Sequence, residues 1–188
     1  MSHSIMKTVP VAGTIIALAL AFTGCATTST MPNAAPTTSV ASVEPGNDSA
    51  VRDALPPAHT DYAGAQDVWT ATVSVWPLPV PESHPFPETI PLYSLNEYDY
   101  YDPTVAAKYA NFWWMCAAST AVVDARDAGD GEAEQYWLSA LDWWGGSDTR
   151  SLTFADDGSS VSSRVATTAT STECTEQPGF DGAPIATP

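Results

Sequence analysis

Nucleophilic hydrolysis needs a serine or cysteine beside a base, and the imidazole supply here is only His3, His59 and His84. A Ser/His/Asp triad would have to recruit one of them, and no Gly-x-Ser-x-Gly turn presents a serine for attack. His84 lies in Ser83-His84-Pro85 within a proline-rich run, and His59 in a segment without apolar periodicity. Both read as exposed loop residues. No His-x-x-x-His or His-Glu-x-x-His spacing sets two zinc ligands on one helix face, and no glycine-rich loop offers backbone N–H groups to a phosphate. The expectation is no metal and no cofactor.

Carboxylates are the commoner reactive group. Glu97, Asp99 and Asp102 stand among Tyr98, Tyr100 and Tyr101. Two carboxyl groups held across a cleft are what glycoside hydrolysis requires, so Glu97 to Asp102 carries the alternative of a cell-envelope hydrolase. Asp124, Asp127, Asp130, Glu132 and Glu134 invite a calcium reading, but the spacing fails. With Gly129 as the sixth loop residue, Arg126 and Ala128 fall at ligand positions. Capping and solvation explain these acids better. Seven tryptophans include the adjacent pairs Trp113-Trp114 and Trp143-Trp144. On a helix, successive side chains diverge by about 100°. One member of each pair can therefore face the core while the other, Trp114 or Trp143, is offered to a glycan or peptide. Burial of all four against the rest of the fold is the simpler expectation.

Charge narrows the partners. Twenty-two acids oppose six basic residues, a formal net charge of −16. Nucleic acid is excluded as a partner, because phosphate neutralisation needs clustered Lys and Arg. Electrostatic adhesion to anionic headgroups is disfavoured for the same reason. A solvated acidic coat that keeps the chain soluble is the plain reading.

The N-terminal stretch has the order of a secretory leader: Lys7, an uncharged apolar run from Val9 to Phe22, then small residues. Met6-Lys7 is a second possible start. Phe22-Thr23-Gly24-Cys25 resembles the lipobox of bacterial lipoproteins, with Phe22 where an aliphatic residue is usual. That resemblance implies a signal peptide over residues 1–24 and a diacylglyceryl group on the Cys25 thiol. It also implies an extracytoplasmic chain anchored to the membrane by acyl chains. With Cys25 lipidated, Cys116 and Cys174 are left as a disulfide pair, worth about 4 kcal/mol in the chain-entropy account of a loop this long. Neither cysteine sits in a Cys-x-x-Cys pattern. The segment Phe112-Trp-Trp-Met-Cys116 also looks like small exported actinobacterial proteins of uncharacterised role, a resemblance that supplies no activity.

The elements that must position these groups follow from periodicity. Residues 25–65, rich in Thr, Ala, Ser and Pro, read as a disordered tether. Residues 68–76 alternate and read as a strand; six prolines from Pro77 to Pro91 force an extended path, with Leu78, Val80, Phe86 and Ile90 as pegs. Asp102 and Pro103 open a helix that Gly129 closes, and Asp130 opens a second that ends at Gly145-Gly146. Residues 151–170 read as a β-hairpin, and 176–188 as a disordered tail. The expected architecture is α+β: an antiparallel helical hairpin packed on a small antiparallel sheet, over residues 66–175. The expected role is a non-catalytic module binding an envelope glycan or protein.

Overall fold

Asp61 and Gly129 mark the boundaries of the helices that build the core. The structure, a computed structural model, describes residues 42–90, 100–154 and 164–181, all within the unit spanning residues 38–188. The regular elements there are helical: α1 Ala50–Asp53, α2 Tyr62–Ser74, α3 Val105–Ala128, α4 Gly131–Gly145, α5 Asp148–Ser151, α6 Val165–Ala169 and α7 Thr172–Thr175. The α+β expectation is therefore overturned. Among the described residues no strand or sheet forms, and the extended pairing is an isolated antiparallel bridge between Thr60 and Tyr101.

The segment read as a strand belongs mostly to α2. Its alternation is present, but burial follows the other period: Ala65, Val68, Trp69 and Thr72 share one helical face. The side chain of Asp61 starts this helix by accepting the Gly64 N–H at 2.9 Å. Packing of Trp69 outweighs the mild β preference of the valines and threonines. The hairpin expected over 151–170 fails too, since Ser151 closes α5 and 165–169 form α6. Residues 155–163 of that hairpin lie outside the described residues.

The long helices start and stop on named side chains. Asp102 accepts the Thr104 N–H at 2.8 Å and also its hydroxyl, and α3 begins at Val105, later than Pro103. At its far end Gly129 adopts φ 71°; its N–H reaches Arg126 O while the Asp130 N–H reaches Ala125 O. That bond pair is a Schellman cap. Asp130 then turns its carboxylate onto the Ala133 N–H at 3.0 Å and starts α4. The pairs Arg126–Glu134 and Trp114–Trp144 step in opposite directions along the two helices, so α3 and α4 are antiparallel.

Between these helices and α2, Trp69, Trp113, Trp114 and Trp144 are fully buried. The proline run crosses this layer, with Leu78 and Ile90 buried and Val80 and Phe86 packed against the same clusters. Its carbonyls accept the indole N–H groups: Trp114 to Pro79 O at 2.8 Å, Trp69 to Pro87 O at 3.0 Å and Trp113 to His84 O at 3.4 Å.

Order extends past both expected limits. In the stretch 42–65, expected as tether, Val51 is fully buried and the Gly46 N–H bonds Pro77 O at 2.6 Å. The Asp48 carboxylate accepts the N–H groups of Asp148 at 2.7 Å and Thr149 at 3.1 Å. In the expected tail, Phe180 is buried, stacks on the His84 ring at 4.3 Å and meets Trp113 edge-on. Both corrections have one cause: a few apolar anchors separated by polar residues bind a segment that carries no periodic signal. A disulfide joins Cys116 on α3 to Cys174 on α7, and both residues are fully buried.

Candidate functional site

Among the described residues, those singled out for chemistry do not assemble into one site. Cys25 and Glu97 lie outside the described residues. Asp102 is exposed, and the Thr104 hydroxyl and N–H hold its carboxyl below the ordinary carboxylate range. A group so held stays ionised and is poorly suited to donate the proton that glycoside cleavage demands. Trp114 is completely buried, donates to a loop carbonyl and tilts against Trp144. It cannot stack on a ligand. Trp143 is half-buried against the same cluster.

The remaining candidates are structural. His84 Nδ1 lies 3.0 Å from the hydroxyl of its chain neighbour Ser83, and burial lowers its pKa, with Asp124 opposing. Its ring is occupied by the stack on Phe180. Of the acids around the α3–α4 turn, Asp130 caps α4 and Glu134 accepts from Arg126 at 2.7 Å. Among the described residues no group of three or more His, Cys, Asp or Glu could hold a metal ion. No helix there is long and apolar enough to cross a membrane.

A cavity of about 480 Å³, open to solvent on one side, sits where α3, the end of α4, and α6 meet. Phe112 and Met115 come from α3, Trp144 from α4, and Phe154 from the turn after α5. Arg150 and Arg164 line it with Glu173. The rigidity of this wall traces to Asn111, a buried residue one position before Phe112. Its Nδ2 donates to Thr149 O at 2.8 Å and its Oδ1 accepts the Trp144 N–H at 2.8 Å. One side chain thus ties α3 to both α4 and α5. The Ser147 hydroxyl accepts the Arg150 N–H at 3.0 Å, fixing the start of α5 and the backbone that carries the arginine. The Arg150 guanidinium is almost wholly buried and lies 5.7 Å from the Trp144 ring centroid and 5.6 Å from that of Phe154. Both distances are within cation–π range.

Such an arrangement sets aromatic and thioether groups beside polar side chains, a composition that small-molecule sites share. Sequence reasoning missed both arginines. The available signal was scarcity: of only six basic residues, one immediately precedes the expected hairpin, at position 150, and one lies within it, at position 164. No protein-family model, curated protein or solved structure matches the chain.

Proposed function

We propose that this protein is an exported lipoprotein, held at the outer face of a membrane through Cys25, whose helical domain binds a small ligand in the cavity beside Trp144 without transforming it. The observation that carries the reading is the Cys116–Cys174 disulfide. Structural disulfides form and persist in oxidising compartments and are rare in a reducing cytosol. Three cysteines less this pair leaves Cys25 for other chemistry, at the position where the leader ends. A binding role is supported by a cavity whose wall includes the rings of Phe112, Trp144 and Phe154. A hydrolytic role gains nothing from Asp102, whose carboxyl is held ionised. Burial of Trp114 also draws the search for the ligand away from an exposed aromatic face and toward the cavity.

The test is metabolic labelling with a fatty acid in a bacterial host. Wild-type protein is expected to carry label and to sediment with membranes, and Cys25→Ala to lose both. Unlabelled wild type, or a leader still attached, would overturn the anchor.

A further inference from the structure

The inner side of α4 is committed to the core through Ala140, Leu141 and Trp144. Its outer side carries a second pattern. Glu132, Tyr136, Ser139 and Trp143 fall at i, i+4, i+7 and i+11, one stripe of the helix about 16 Å long. Glu132 is exposed, Tyr136 and Trp143 are half-buried, and the exposed Asp142 borders the stripe. Tyr136 stands edge-on to Trp137 at 5.1 Å, and Trp143 packs on the core, so both rings are held in place. Between them the Ser139 hydroxyl turns back to Gln135 O at 2.8 Å.

No Lys or Arg lies on α4. Glu134 has Arg126 as its partner, but it sits about 200° round the helix from Glu132. Glu132 and Asp142 form no ion pair among the described residues. Nor does the chain have a cation to spare for them. Lys108 pairs with Asp102, and Arg52 reaches the Ser151 hydroxyl. Arg150 and Arg164 line the cavity and have interactions of their own. The sixth basic residue, Lys7, belongs to the expected leader.

We infer that this face of α4 docks an arginine-bearing segment of a partner protein. The inference is independent of the cavity. A guanidinium answers both halves of the pattern: its plane stacks on a tyrosine or tryptophan ring, and its N–H fork donates to a carboxylate. Lysine can do the second but stacks less well. A neutral glycan would use the rings and leave Glu132 and Asp142 unanswered. A second copy of a chain with a formal charge of −16 is repelled, as is an anionic bilayer. About five extended residues span the stripe, so a short peptide suffices as a probe.

The experiment titrates hexa-arginine and hexa-lysine peptides into the purified full-length chain by calorimetry. Salt is set at about 0.15 M, where the Debye length is about 8 Å and distant acids are screened. Hexa-arginine is expected to bind about threefold more tightly than hexa-lysine, and Tyr136→Leu should abolish the preference. Glu132→Gln with Asp142→Asn should weaken hexa-arginine about fivefold. The matched pair Asp67→Asn with Glu88→Gln removes the same charge from exposed positions on α2 and the proline run, and should weaken it less than about twofold. Circular dichroism confirms the fold of each variant. Equal weakening by the two pairs would show attraction to net charge alone and overturn the inference, as would equal affinity for the two peptides or no binding of either. Displacement of hexa-arginine by a neutral oligosaccharide, chitotetraose, would give the rings to a glycan and overturn it. So would sedimentation of the unliganded chain as a dimer that Glu132→Gln with Asp142→Asn strengthens, which would give the face to a second copy.

Discussion

Asn111 offers the sharpest perturbation, because one buried amide holds three helices together. Replacing it with Leu keeps the side chain branched at the same carbon and slightly raises helix propensity, so neither a cavity nor a weaker helix confuses the outcome, and its bulkier methyl groups act in the same destabilising direction. Two groups then lose their best partner. The Trp144 N–H loses its acceptor at 2.8 Å, and Thr149 O keeps only the Leu152 N–H at 3.4 Å. Ala107 O, also bonded to the amide at 3.0 Å, remains within α3, and the half-buried Thr153 hydroxyl can turn to water. An orphaned buried polar group costs about 1–3 kcal/mol, so two cost about 2–6; burying the extra apolar surface of Leu returns part of this. The expected loss is about 2–4 kcal/mol, a large fraction of the stability of an ordinary domain.

Urea denaturation followed by tryptophan fluorescence measures that loss. With a slope of about 2 kcal/mol/M, the midpoint should fall by about 1–2 M. Trp144→Phe supplies the control, since it deletes the donor that Asn111→Leu strands. In the double variant that N–H no longer exists, so the two losses should sum to less than their separate values by about 1–2 kcal/mol. A midpoint for Asn111→Leu within about 0.3 M of wild type would refute the reasoning, as would strict additivity in the cycle.

Other consequences are equally measurable. Reduction, or Cys116→Ala with Cys174→Ala, releases a loop with a sequence separation of 58 and should cost about 4 kcal/mol in the chain-entropy account, read as a lower urea midpoint with reductant than without. Burial sets the folded pKa of His84 below its ordinary 6.5, so as pH falls through that value the unfolded chain takes up a proton that the folded chain refuses. Stability should therefore be full above about pH 6.5 and decline below it until the folded pKa is reached; His84→Gln should flatten this decline, and an unchanged pH profile would contradict it. Two glycines in the α3–α4 turn should respond with opposite signs. Neither would place a Cβ within 4 Å of another atom, but only Gly129 has a positive φ. Gly129→Ala should lower stability by about 1 kcal/mol through backbone strain, and Gly131→Ala should raise it by about 0.5 kcal/mol through the unfolded chain, both read as shifts in thermal midpoint.

What could be read from the residues depended on length and punctuation. α3 and α4 were legible because apolar spacing persists over many turns and because Gly129 and Asp130 stop one helix and start the next. Residues 68–76 were misread because a nine-residue window of Val, Thr and Trp satisfies period 2 as well as period 3.6. The deciding cap, Asp61, lies upstream of that window. The pegs in the proline run were legible as isolated apolar residues. The anchoring of residues 42–65 and of Phe180 was not, since single buried residues such as Val51 leave no pattern. The cavity was invisible for a related reason: its wall joins residues 112, 115, 144, 150, 154 and 164, which no local spacing relates.

The least local feature of the fold nevertheless follows from donor and acceptor accounting. Each indole carries a donor and no acceptor, and a tryptophan buried on a helix finds the nearby helical carbonyls already engaged. A proline carries a carbonyl and no N–H, so a proline-rich run has acceptors in excess and little need for donors of its own. Trp69, Trp113 and Trp114 and the carbonyls of residues 79, 84 and 87 are matched on this basis. Trp144 is served by Asn111 instead. An acceptor-rich partner thus serves three of the tryptophans of this core, while the buried Trp76 N–H, beside the same run, has no acceptor among the described residues. The proline run is therefore a structural layer of this domain rather than a passage between its helices.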